Sequence, residues 1–146
     1  MAFKFKLQPL LKHRTLLENL ARQALAEAMS NEAAMEQAIE KHRQICRDLE
    51  QEFEQKKSKG MVLQELLIYE RSLKRQAEKL KQLRAEAASL HTRTEQQRAH
   101  LTESSKDRTL MEKLKTKRED EYRQDMLRQE MNDLDEIALL LGKQCR

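Results

Sequence analysis

Tryptophan is missing from this 146-residue chain, aromatic residues amount to 3% of it, and it holds two glycines, one proline and two cysteines. Each scarcity excludes something. Proline costs about 3 kcal/mol and glycine about 1 kcal/mol inside a helix, so a chain that confines them to a few places can be almost wholly helical. Here they stand at Pro9, Gly60 and Gly142, dividing the chain into a shorter and a longer helix-length run. Two isolated glycines cannot build a phosphate-cradling loop, and no Gly-x-Ser-x-Gly, His-Glu-x-x-His or EF-hand pattern occurs. The sequence gives no support to catalysis or to a bound cofactor, and the reading is of a protein that is not an enzyme.

With so few aromatics there is too little bulky apolar material for a wide globular core, and the chain must bury a seam instead. Cys46 and Cys145 lie in different regions and form no Cys-x-x-Cys, so reduced thiols in the cytosol are expected. His13, His42, His91 and His100 are scattered. His91 and His100 stand nine apart, not at the three- or four-residue spacing of a helical metal site, and no metal is expected. Met1 to Arg14 alternates Phe and Lys without the apolar core of a signal peptide, and no run of about 18 apolar residues occurs. These features predict a cytoplasmic protein with no membrane span.

What is abundant is charge, at 37% of residues, with 29 basic and 25 acidic side chains giving a net +4 and a pI near 9.1. Richness in Ala, Glu, Lys, Leu, Arg and Gln is the composition of long helices and coiled coils. The opposite charges are interleaved, as on a solvated, salt-bridged surface. Basic residues are locally dense at Arg71, Lys74, Arg75, Lys79, Lys81 and Arg84, and again at Lys113, Lys115, Lys117 and Arg118. Neither group is interspersed with stacking aromatics, so nucleic acid is not an expected partner.

Three-four spacing identifies a seam on each run. In the first it reads Leu10, Arg14, Leu17, Ala21, Ala24, Ala28, Asn31, Met35, Ala38, His42, Ile45 and Leu49. In the second it reads Val62, Leu66, Tyr69, Leu73, Gln76, Leu80, Leu83, Ala87, Leu90, Thr94, Gln97 and Leu101. The Ala-rich middle of the first seam would let backbones approach closely and make a thin, stiff rod. The polar run Gln55 to Gly60 is the natural turn, and a short connection forces antiparallel neighbours. The predicted fold is all-α, a long antiparallel two-helix coiled-coil hairpin with a longer second helix. It forms one coiled-coil domain over 1–146, with helices at about 8–57 and 61–141 and the turn at about 57–60. Ile45 should lie near Leu73, and Leu17 near Leu101. His42 and Asn31 would interrupt the apolar layers and fix the register.

On this register the first arm ends near residue 108, leaving Thr109–Leu141 as an overhang of roughly 50 Å. A separate third helix capped by Ser104 or Ser105 is the competing reading. The last part of the overhang, Leu127, Met131, Leu134, Ala138 and Leu141, steps by four and three, and such a stripe wants a groove or another helix. Folding back, or pairing with a second copy, is the alternative. At the turn, Leu66-Leu67-Ile68-Tyr69 supplies four consecutive large residues beside Phe53, more than two helices can bury.

The run Leu110-Met111-Glu112-Lys113-Leu114-Lys115-Thr116-Lys117-Arg118, then Tyr122, Arg128-Gln129-Glu130 and Leu134-Asp135-Glu136-Ile137-Ala138, resembles the FliJ family of flagellar export proteins. The opening agrees: Phe3, Phe5, Leu7, Leu10, Leu11, Arg14 and Glu18, followed by the Ala-rich stretch from Ala21 to Ala28. Length and layout match from end to end. The resemblance implies a non-enzymatic, cytoplasmic component of the flagellar type III export apparatus, peripheral at the cytoplasmic face of the inner membrane. It implies a stalk-like coiled coil that binds the hexameric export ATPase, promotes its assembly and activity, and links it to the export gate and the export chaperones.

On the same ground Arg118, Tyr122, Arg128, Gln129, Glu130, Leu134, Asp135 and Glu136 are the expected ATPase-ring contacts. Leu49, Phe53, Tyr69 and Leu73 are weaker candidates for the export gate, because the seam needs most of them. Alternatives are the equivalent stalk of a virulence type III secretion system, or a coiled-coil adaptor or holdase chaperone. The end motifs favour the flagellar branch, and the scarcity of aromatics counts against a peptide clamp.

Overall fold

The computed structural model describes residues 2–144; Cys145, read above as a reduced thiol, lies outside them. Two helices account for nearly all of these residues: α1, Gln8–Lys59, and α2, Leu63–Gln144. They pack against each other as an all-α, antiparallel coiled-coil hairpin with the longer second helix that the sequence predicts.

Local chemistry sets the ends. Pro9 sits in the first turn of α1, where a missing N–H costs nothing. The last turn of α1 gathers Lys56, Lys57 and Lys59 against the negative end of its dipole. Gly60 then turns the chain at φ +96°, a left-handed conformation that disfavours any side chain. Its N–H donates to the carbonyl of Lys57 at 3.2 Å. Gly142 marks no boundary, since α2 continues through it to Gln144. Residues 102–107 are helical too, so Ser104 and Ser105 cap no third helix.

The chain divides into two compact units, Ala21–Leu101 and Met1–Leu20 with Thr102–Arg146. In the first, α2 presents Leu66 to Leu101 inward largely as predicted, whereas Val62 is exposed. In α1 one seam row is right; in the other Ala24 and Ala38 stay half-buried, and Leu10, Leu17, Asn31 and Ile45 turn outward. Ala21, Ala28, Met35, His42 and Leu49 face inward, but they are joined by Leu25, Glu32, Ile39, Cys46 and Phe53. Asn31 and Ile45, expected inside, are exposed, Ile45 at 53%. Cys46, not Ile45, lines a hollow with Leu73. The reason is a polar partner: Glu32 turns inward to meet His91 at 2.7 Å, a pairing that an apolar count along one helix does not register. The register role expected of both His42 and Asn31 falls to His42 alone. It is 5% exposed and lies 3.1 Å from the backbone carbonyl of Gln76, to which a protonated Nε2 donates.

The same rotation appears in the second unit. Leu17 is 40% exposed, while its neighbour Glu18 is the most buried polar side chain described, at 1%. Glu18 pairs with Arg108, which also holds Glu112 at 2.6 Å, and Arg14 pairs with Asp107 at 2.9 Å. Residues 2–7 form no helix but lie along α2, where Phe3 meets Tyr122 with ring centroids 5.6 Å apart. Helical spacing from the Arg14–Asp107 pair would bring Phe3 level only with about residue 118, because a helix advances 1.5 Å per residue and other backbone more. The first arm therefore covers α2 well past residue 108. The overhang starts at residue 127, not Thr109, and every residue from 127 to 144 is exposed.

Candidate functional site

The uncovered end of α2 carries an ordered apolar face. At 100° per residue, Leu127, Met131, Leu134, Ile137, Ala138 and Leu141 fall within one stripe. The five large residues among them are exposed, Leu134 at 65%. Glu130 lies within the stripe, and Asp133 and Asp135 border its two edges. A row of this kind on a paired helix would be core; here no described residue of the unit covers it. An apolar face of this length, edged by carboxylates, is suited to receive or enter a groove of another helix or a basic-rimmed protein surface.

The predicted ring contacts are split between two settings. Leu134 lies in the stripe, and Glu130 and Asp135 lie in it or at its rim. Arg128, Gln129 and Glu136 are exposed on the sides and back of the same helix. Arg118 and Tyr122 belong to the covered part of α2. There they line a cleft of about 470 Å³ with Phe3 to Leu7, Glu121 and Asp125. Tyr122 is half-buried against Phe3, and packing of the N-terminal segment accounts for it locally.

Of the four residues near the turn, the two aromatic ones are packed together. Phe53 is buried and stacks on Tyr69 at 5.3 Å, and the Tyr69 hydroxyl donates to Glu52 at 2.9 Å. Lys57 lies 4.0 Å from the Phe53 ring and Lys56 5.1 Å from that of Tyr69. The hydrogen bond with Tyr69 raises the Lys56 pKa above its ordinary value. Leu49 and Leu73 are half-buried. The run Leu66 to Tyr69 is, as anticipated, too large to bury whole: Leu67 and Ile68 are exposed, as are Val62 and Leu63.

Two features escaped the sequence reading. One is the Glu18–Arg108 pair, whose only trace is a Glu at a three-four position in an otherwise apolar opening. The other is a row of exposed leucines, Leu10, Leu16, Leu17 and Leu20, on the outer face of α1. Two of these were assigned to the seam. No helix among the described residues is long and apolar enough to cross a membrane. A family model described as Flagellar FliJ protein matches residues 3–144. No curated protein and no solved structure matches the chain.

Proposed function

The chain belongs to the flagellar FliJ protein family, whose members are components of the flagellar export apparatus, and from that premise we propose that it serves there as a non-enzymatic, stalk-like coiled coil. It binds the hexameric export ATPase, promotes ring assembly and hydrolysis, and connects the ring to the export gate and to export chaperones. It works in the cytoplasm, peripherally at the inner membrane.

The observation that carries this reading is the stripe from Leu127 to Leu141. A helix end left uncovered by its own hairpin, apolar on one side and charged elsewhere, supports a contact that forms and releases with a larger partner. The carboxylates of Glu130 within it and of Asp133 and Asp135 at its edges favour basic patches on that partner, and Glu136 on the opposite face adds to the same local charge. We assign Leu134 the central contact, with Arg128 and Gln129 at its periphery and Arg118 and Tyr122 acting nearer the covered part of α2. The turn-proximal group, Leu49, Phe53, Tyr69 and Leu73, would meet the gate through the exposed Leu67 and Ile68 that it supports.

The test is ATP hydrolysis and ring assembly by the flagellar export ATPase, with this chain and with Leu134→Asp. Stimulation by the unaltered chain that Leu134→Asp loses, with helicity kept, is the expected result. A rate and an assembly state indifferent to both proteins would leave an adaptor or chaperone role instead.

A further inference from the structure

We propose that two copies of this chain associate reciprocally, the Leu127–Leu141 stripe of each docking on the exposed leucine arc of the other's α1. Within the unit formed by Met1–Leu20 and Thr102–Arg146 there are two uncovered apolar faces. On α1, Leu10, Leu16, Leu17 and Leu20 are all exposed. At 100° per residue they fall on one outward arc, with His13 among them and Lys12 and Arg14 at its two edges. On α2, the stripe is bordered by Asp133 and Asp135. The arc is about 15 Å long and the stripe about 21 Å, so each is a suitable length for the other.

The stripe cannot fold back onto its own arc, because α2 is helical without a break to Gln144. A second copy has no such constraint. Leu134 lies about 26 residues beyond Arg108, or ~39 Å along α2, and Arg108 is level with the arc through Glu18. Under a two-fold axis that offset is the same in both copies, so docking one stripe docks the other and no face is left over.

The axis also decides direction. It reverses one copy, so each stripe runs parallel to the α1 it meets. In a parallel crossing the edge that carries Lys12 faces the edge that carries Asp135, and the edge with Arg14 faces that with Asp133. Both juxtapositions are of opposite sign, and since Arg14 is already held by Asp107 of its own chain, Lys12 with Asp135 is the pair that decides. The opening of the chain favours the acidic stripe, since Lys4, Lys6 and Lys12 stand there and the carboxylate of Glu18 is already paired with Arg108. In the free protein one occupant thus accounts for two faces and for the charge at their margins, and the second copy must leave the stripe before the ATPase ring proposed above can take it.

Sedimentation velocity of the full chain over a concentration series tests this without any other protein, so its failure leaves the ATPase reading untouched. The expected result is a shift with concentration toward twice the 17.3 kDa chain mass, weakened by added salt. Leu17→Asp and Leu134→Asp should each raise the dissociation constant at least about tenfold. Lys12→Glu should weaken association, and Lys12→Glu with Asp135→Lys should restore it. Far-UV circular dichroism accompanies each variant; if Leu17→Asp loses helicity, the charge exchange, made at exposed positions, carries the decision. A chain that stays monomeric at the highest concentration overturns the proposal, as does a dimer indifferent to all four variants. So does a monomer whose leucine arc binds anionic phospholipid vesicles, which would assign the arc to a membrane surface.

Discussion

Glu18 is the side chain whose placement most constrains the unit it belongs to. A carboxylate at 1% exposure needs compensation, Arg108 supplies it across the helices, and the pair ties one point on α1 to one point on α2. Burial of an ion pair gives little net stability against an apolar pair of the same volume, but removing one partner breaks the tie between the helices; with Glu18 gone Arg108 keeps Glu112, so the loss is moderate. Glu18→Ala should therefore cost about 1–3 kcal/mol in urea unfolding, whereas Glu18→Leu with Arg108→Met should recover most of the loss. If the double variant is no better than the single, the pair is stabilising in itself and not chiefly a specifier of register.

Glu32 and His91 are a more exposed version of the same device. Their 2.7 Å contact lowers the Glu32 pKa from 4.5, chiefly through the hydrogen bond to His91, and raises that of His91 from 6.5. The histidine contributes its stabilisation below its unfolded value and loses it as the pH rises through the raised folded one; the glutamate contributes above 4.5 and loses it as the pH falls. The Tm difference between the unaltered chain and His91→Gln should then be greatest between about pH 4.5 and 6.5 and shrink by mildly alkaline pH. A difference flat from pH 5 to 9 would mean the pair is not ionised.

At the scale of the element, two helices, their antiparallel sense and the turn were legible because they rest on local rules: Pro at a first turn, Gly after a lysine-rich last turn, apolar residues at three-four spacing. The second inner row of α1 was not. Leu10, Leu17, Ala24, Ala38 and Ile45 make a good apolar row, and Leu11, Glu18, Leu25, Glu32 and Ile39 make a poorer one by hydropathy. The second is the more covered, with Leu11 and Glu18 buried and Leu25, Glu32 and Ile39 half-buried, and the partners of its glutamates, Arg108 and His91, reside on α2. The uncovered stripe was legible from Leu127 onward. Its start was not, since the reach of residues 2–7 depends on their leaving the helix.

Gly60 gives the turn its own test. A Cβ there would meet no atom within 4 Å, so the cost of Gly60→Ala comes from φ +96° alone, about 1–2 kcal/mol. Gly60→Asn should lose less, as Asn tolerates the left-handed region. Equal stability of glycine and alanine would mean that the turn relaxes to another geometry.

For the molecule in solution, the decisive contrast lies between the covered and uncovered parts of α2 within one unit. Residues 102–126 have a partner in α1 and in the segment from Phe3 to Leu7; residues 127–144 have none among the described residues, and lone helices of about that length are marginal in water. Amide hydrogen exchange should therefore show strong protection through residue 126 and a drop beyond it, with Phe3→Ala extending the drop back toward Tyr122 by removing the ring that covers it. Concentration gives this profile its second axis. If the stripe of one copy is covered by the arc of another, protection beyond residue 127 rises with protein concentration and falls again in Leu17→Asp, although Leu17 lies on the other helix. If it is high at every dilution, the stripe is held within its own chain; if it is low at every concentration, the stripe waits for a different partner, and the export ATPase should then be what protects it.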